Sequence, residues 1–257
     1  MPTLELVESS IKFGVVAAAP VAGSFLGVAV LRSGTSSILN PARSHCSHCG
    51  ASLSARDLVP LISWTLSGGR CRHCGDRLGW FYPGMEIAAL GVALWVAQAL
   101  SGWAIAVGCL LGWTLLTIAL IDLRRLIVPD ALSLPLLLAG LGLAVATDLS
   151  GTMVDPWDAL LGATLGYGAF ALLGRGYERV RGMPGLGLGD AKLLAAAGAW
   201  VGVAGLPSVV LVAALAGLAG ALLAGATERD RRIPFAPALC LGFWVVWLHG
   251  PLAVGGL

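Results

Sequence analysis

The stretch Ile118–Leu141, IALIDLRRLIVPDALSLPLLLAGL, places Asp122, Arg124, Arg125 and Asp130 in a short polar break between two apolar runs. Each run continues outward without a charge, to a length near the roughly 17–25 residues that cross a bilayer. The break therefore reads as a tight turn between two membrane helices, with carboxylates held at the membrane surface. A second stretch, Gly185–Gly202, GLGLGDAKLLAAAGAWVG, sets Asp190 at the head of another apolar run.

Composition agrees with this reading along the whole chain. Of 257 residues, 57% are hydrophobic and only 12% charged. That is too little polar surface to cover a soluble fold of this length. The expected fold is an all-α polytopic membrane protein of eight spans, at about 12–31, 84–100, 103–121, 130–147, 158–174, 190–206, 207–225 and 235–250. The pairs joined at Gly102 and at Pro207 read as tight hairpins. Three parts follow: a first span (1–31), a polar loop (32–83) and a helical bundle (84–257). The first run has no basic start and follows Glu5 and Glu8, so it does not read as a cleavable signal.

Lys and Arg set the orientation. Alternate gaps hold the residues from Arg32 to Arg77, then Arg124 and Arg125, then Arg175 to Lys192, then Arg229 to Arg232. The other gaps, termini included, hold only Lys12. This is the positive-inside pattern, so the basic gaps face the cytoplasm and both termini face outward. Asp122, Asp130 and Asp190 then lie on the cytoplasmic side, and Asp148, Asp155 and Asp158 read as caps and loop residues on the other. The net charge of +2 is spread over these loops and carries no nucleic-acid signal.

The polar loop contains Cys46-x-x-Cys49 and Cys71-x-x-Cys74, each followed by glycine, with 21 residues between the pairs. A CxxC turn brings two thiolates within reach of one metal, and the glycine permits the positive-φ turn that aims backbone amides at sulfur. Two such turns make a tetrahedral four-cysteine zinc site, closed and hence structural. A cytoplasmic location favours zinc over two disulfides. His45, His48 and His73 read as surface residues beside it, and Cys109 and Cys240 as small core residues.

The aspartates admit two readings. Asp130 follows Pro129 and suits the N-terminus of the next span, where a carboxylate favours the dipole. Asp122 comes at the C-terminal end of a run, where the dipole opposes it. Asp190 follows repeated glycines, which allow close backbone approach. Asp122 and Asp190 are thus either two caps or a functional pair. As a pair, one would keep its proton and the other would lose it, which suits acid–base hydrolysis of a peptide bond. There is no HExxH, GxSxG, P-loop or GxGxxG to support another chemistry.

Six motifs occur in order: Gly23-Ser-Phe-Leu26, the paired CxxC turns with Pro60-Leu-Ile-Ser-Trp64 between them, Phe81-Tyr-Pro-Gly-Met-Glu86, Asp122-x6-Pro129-Asp130, Gly187-Leu-Gly-Asp-Ala-Lys192 and Ile233-Pro-Phe-Ala-Pro237. Together the chain resembles the prepilin peptidases, the GxGD-type aspartic membrane proteases of type IV pilus and type II secretion systems. It departs at Gly27, where the family usually has Asn, and at Ala236, where it usually has Gly. The resemblance implies Asp122 and Asp190 as the catalytic dyad. It implies supporting roles for Asp130, Gly187, Gly189, Lys192 and Glu86. It also implies cleavage of prepilin or pseudopilin leaders at the cytoplasmic face of the bacterial inner membrane. Many members methylate the new amino terminus, which implies S-adenosylmethionine as methyl donor, with Glu86 as a candidate for that site. A rival class is a zinc-binding membrane transporter using the aspartates as an ion or proton path. It predicts acids at mid-membrane, whereas here they lie at span edges. A structural zinc-binding assembly factor would make both aspartates dispensable.

Overall fold

The computed structural model describes residues 2–33, 45–46, 48–148, 154–182, 187–223 and 234–252. Arg229, Arg231, Arg232, Ile233 and Gly185 lie outside the described residues. In chain order the helices are α1 (Pro2–Arg32), α2 (Ile62–Leu66), α3 (Phe81–Ala99), α4 (Ala104–Arg125), α5 (Asp130–Asp148), α6 (Pro156–Arg181), α7 (Leu188–Leu223) and α8 (Ala236–His249), with a 3₁₀ turn at Ala55–Asp57. Among the described residues strand pairing is limited to two isolated bridges, His45 with Ser52 and Arg70 with Arg77. Contacts divide the chain into two compact units, Met1–Trp113 and Thr114–Leu257, with the boundary inside α4.

Among the described residues three helical stretches are long and apolar enough to cross a bilayer: Val7–Arg32, Ala104–Arg125 and Leu188–Leu223. Asp130–Ala146 and Ala236–His249 are shorter apolar helices. Helix length and composition by themselves therefore support three crossings, against the eight expected.

In the first unit α1 and α3 run antiparallel. Gly23 lies against Glu86 and Ala89, and Gly27 against Tyr82 and Met85. A Cβ on Gly23 would sit 2.7 Å from the Glu86 Cα, so only glycine permits this approach. The Trp113 indole donates to the Ala89 carbonyl at 3.0 Å, which ties α4 to α3.

The second unit is organised around α7. Its helical path is interrupted at Gly202, with φ 70° and ψ −178°, a conformation essentially confined to glycine. The first arm, 188–201, packs on α6 through Gly162 against Gly198 and through Gly166 against Leu194. It packs on α5 through the Trp200 indole, which donates to the Leu136 carbonyl at 2.8 Å. The second arm, 203–223, packs on α8, with Gly217 beside Phe235 and Ala238 and with Val209 and Ala213 beside Gly242. These contacts mean that the chain turns back at Gly202. A straight helix would separate residues 190 and 217 by about 40 Å. Gly217 instead meets Phe235 and Ala238, which flank the Ala236 amide bonded to Asp122, and Asp122 shares a pocket with Asp190. The expected hairpin exists, but its turn is at Gly202 and not at Pro207. The Asp158 carboxylate accepts the Val203 amide at 3.2 Å and so caps the second arm.

Candidate active site and metal centre

Asp122 occupies the last turn of α4 and is 5% exposed. One of its carboxylate oxygens, Oδ2, accepts the Ala236 amide at 3.1 Å, at the first residue of α8. The free amides of a helix N-terminus carry positive partial charge, so this contact favours a carboxylate anion. Just beyond, the Leu126 amide closes on the Asp122 carbonyl at 2.8 Å, and Leu126 ends the helix with φ 57°. A left-handed residue commonly ends a helix, but it is usually glycine. A leucine there stores strain beside the carboxylate.

Asp190 lies in the first turn of α7, half-buried, with its amide on the Gly187 carbonyl at 3.1 Å. Its carboxylate accepts the Gly187 backbone amide. Asp122 and Asp190 line one pocket of about 280 Å³, together with Asp130, Lys192, Leu126 and Val128. Gly189 is what lets the two loops meet, since a Cβ there would lie 2.8 Å from the Val128 Cβ. Gly187 also lines the pocket, but its position is open, and a Cβ would meet the Asp190 carboxylate at an ordinary 3.5 Å. Lys192 Nζ donates to Asp130 Oδ1 at 2.6 Å, which joins the N-terminus of α5 to that of α7. The structure thus gathers Asp122, Asp130, Gly187, Gly189, Asp190 and Lys192 from two motif segments into one cavity. The arrangement offers two carboxylates in unequal surroundings, as acid–base chemistry on a water requires.

Two contributors escaped the sequence reading. The Ala236 amide has no side-chain signature, and only its place inside Ile233–Pro237 marked the segment. Leu126 looks like any other apolar residue after the arginines.

Glu86 sits elsewhere, in the first unit, and is 4% exposed. Its Oε2 accepts the Leu61 amide at 2.8 Å, where Leu61 precedes α2 with φ 59°. Its surroundings are those of an internal anchor for the Pro60–Trp64 segment.

The four loop cysteines converge. Among Cys46, Cys49, Cys71 and Cys74 all sulfur atoms lie within 4.8 Å of one another. The Cys46 and Cys74 sulfurs are 4.0 Å apart, near the about 3.8 Å edge of a tetrahedron with 2.3 Å zinc–sulfur bonds. The two turns repeat one geometry. The His48 and His73 amides point at Cys46 and Cys71 sulfur at 3.5 and 3.4 Å. Gly50 and Gly75 take φ 71° and 75°. Cys46 and Cys71 amides close on the Ala51 and Asp76 carbonyls at 2.9 and 2.8 Å. The Cys49 and His48 amides lower the Cys46 thiol to about 6. At Cys74 the Asp76 amide acts downward, but desolvation and the neighbouring thiols outweigh it and push it up to about 12. A bound dication would relieve that crowding of negative charge. This donor set fits a metal ion held by four sulfurs.

Comparison with known proteins covers both units. Residues 17–100 match the Bacterial Peptidase A24 N-terminal domain, and residues 109–222 match the Type IV leader peptidase family. The prepilin leader peptidase/N-methyltransferase of Aeromonas hydrophila is 37% identical over 212 residues, covering 81% of this chain and 72% of the relative. That of Burkholderia pseudomallei (strain K96243) is 41% identical over 205 residues, covering 78% and 65%. The type 4 prepilin-like proteins leader peptide-processing enzyme of Escherichia coli O78:H11 is 38% identical over 204 residues, covering 78% and 73%. No solved structure matches significantly. With the matched segments spanning both the cysteine cluster and the aspartate pocket, the chain belongs to the type IV leader peptidase family.

Proposed function

We propose that this chain is a membrane aspartic endopeptidase that removes the leader peptide of type IV prepilins or pseudopilins. The observation that carries the reading is the convergence of Asp122 and Asp190 in one pocket of a chain that belongs to this family. Asp122, which accepts the Ala236 amide at the head of α8, is the carboxylate held ionised and acts as general base. Asp190 holds the proton.

Asp122 takes a proton from a water whose oxygen bonds to the scissile carbonyl carbon, and Asp190 gives its proton to the carbonyl oxygen. The neutral diol then collapses. Asp122 passes its proton to the leaving nitrogen as the carbon–nitrogen bond breaks, and a diol hydroxyl returns a proton to Asp190. Gly187 leaves room for an extended peptide backbone beside the dyad. Lys192 and Asp130 hold the two loops in register.

We assign eight crossings, counting α1, α3, α4, α5, α6, the two arms of α7, and α8. The reversal at Gly202 supports separating the two arms. The basic gaps then face the cytoplasm, and the dyad opens toward that side of the bacterial inner membrane, where a basic leader would be presented. The functional division remains a zinc-binding loop over 32–83 and a peptidase bundle over 84–257. Zinc suits the four-sulfur donor set, with a structural role. The names of the Aeromonas and Burkholderia relatives include N-methyltransferase. Glu86 is buried with its carboxylate on the Leu61 amide, so it does not offer an open site for S-adenosylmethionine, and no methyl-transfer step is assigned to it. The transporter alternative draws no support from the pocket, whose acids stand at the ends of α4, α5 and α7.

The test is processing of a co-expressed prepilin, followed by mobility shift and by mass spectrometry of the product. Cleavage by the native chain and none by the Asp122→Asn and Asp190→Asn chains at equal protein level is the expected result. Normal processing by either variant would return that residue to a capping role.

A further inference from the structure

The segment Leu58–Leu66, which contains the Pro60–Trp64 motif, lies between α1 and α3 in the first unit, and four of its apolar side chains are turned outward. Leu58, Val59, Ile62 and Leu66 are 43%, 40%, 57% and 76% exposed. Ile62 and Leu66 are four residues apart in α2 and so share one helical face. The segment is nonetheless well held. The Trp64 ring packs on Trp80 with centroids 4.2 Å apart, and its indole donates to the Leu78 carbonyl at 3.4 Å. An ordered segment with its apolar side uncovered calls for a partner.

Depth identifies that partner. The Leu61 amide, at the head of α2, is bonded to the Glu86 carboxylate at 2.8 Å. Glu86 begins the second turn of α3, and its backbone lies against Gly23 of α1. Gly23 stands nine residues inside the end of α1 at Arg32, about 14 Å along the helix. The stretch Val7–Arg32 is apolar and long enough to cross a bilayer. The start of α2 is therefore drawn back alongside the membrane-crossing part of α1. Nonhelical backbone at that level needs its amides satisfied from within the protein, which Glu86 does for Leu61. Trp80, 70% exposed, stands immediately before α3, where an aromatic ring suits the headgroup level. Across residues 45–80 four arginines face two aspartates, a balance that suits anionic phospholipid.

We propose that the segment 58–66 is an interfacial element that rests Leu58, Val59, Ile62 and Leu66 in the acyl–headgroup boundary of the bilayer, with lipid as its partner. Glu86 and the Trp64–Trp80 pair hold it there, and the cysteine cluster is thereby tethered at the membrane surface. The inference depends on α1 crossing the bilayer and not on the peptidase reading.

The test uses the full chain in liposomes of phosphatidylethanolamine and phosphatidylglycerol. A keto amino acid at position 62, 66 or 77 carries a ketone-reactive nitroxide, which spares the cysteines. Arg77, exposed on the second cysteine turn, is the aqueous reference. At 62 and 66 collision with oxygen should exceed that at 77 several-fold, and collision with a water-soluble nickel chelate should fall by a similar factor. Nickel access equal to that at 77 would overturn the proposal. So would a strongly immobilised label shielded from both reagents, since that shows a protein surface covering the segment. If a labelled chain is not monodisperse, positions 58 and 59 replace 62 and 66, with the same outcomes. Prepilin processing, measured in the same liposomes, reports separately on the peptidase reading.

Discussion

Asp122 sits where its own helix disfavours it, because the C-terminus of α4 carries negative partial charge. The Ala236 amide, 114 residues away in sequence, answers that cost in a buried hydrogen bond. Asn is nearly isosteric with Asp but cannot exchange the proton. Asp122→Asn and Asp190→Asn should each lower cleavage by about 10²–10⁴-fold while the protein still accumulates. The double variant should be no worse than the poorer single one, because the two groups act as a unit. Gel-shift processing with blotted enzyme levels measures both. The two pocket glycines should separate cleanly. Gly189→Ala puts a methyl 2.8 Å from the Val128 Cβ and should destabilise by about 1–3 kcal/mol, with loss of activity. Gly187→Ala meets nothing closer than the Asp190 carboxylate at 3.5 Å and should leave the thermal midpoint unchanged while slowing cleavage. Equal thermal midpoints for the two variants would contradict this account of the loop contact. The dyad residues and glycines were legible as motifs. The Ala236 amide and the left-handed Leu126 were not, because a backbone group pointed at a carboxylate leaves no trace in residue type.

The turn inside α7 is an element whose position the sequence misplaced. Pro207 looked like the break, yet a proline one turn into an arm removes only one backbone bond. Gly202 carries the conformation that other residues resist, and a Cβ there would strike the Asp158 carboxylate. Gly202→Ala should therefore cost about 1–3 kcal/mol or more, seen as a fall of several degrees in the detergent-solubilised thermal midpoint. Asp158→Ala, which removes the cap on Val203, should cost about 0.5–2 kcal/mol in the same assay. Equal stability of Gly202→Ala and the native chain would mean that the reversal lies elsewhere. The cysteine turns are the opposite case. Their spacing and trailing glycines were readable in advance, and the structure brings all four sulfurs together. Cys46→Ser or Cys71→Ser should lower both bound zinc and protein level, by metal analysis and immunoblot, because metal binding and folding of such a site are one process. Stoichiometric zinc in the chain lacking all four cysteines would refute the ligand set.

For the molecule as a whole, the orientation proposed from the arginines is open to a direct test. A single added cysteine near Arg179 should react with a membrane-impermeant reagent only after the inner membrane is opened, and one near Thr152 should react from outside. The reverse pattern would invert the topology and put the dyad on the wrong side for a basic leader. That the chain is helical and built for a membrane was decided by the sequence itself, since 57% hydrophobic residues in span-length runs leave no soluble alternative. The cysteine quartet was also legible there, because metal ligation demands particular side chains at particular spacings, whereas the pairing of the two aspartates was named only by the family resemblance. Tertiary structure alone decided what surrounds them. It set the reversal at Gly202, the approach of Gly189 to Val128, the Ala236 amide on Asp122 and the burial of Glu86 beneath Leu61. Each of these depends on backbone path and close packing between segments distant in sequence, and apolar helices of similar composition could meet in many registers that residue type does not distinguish.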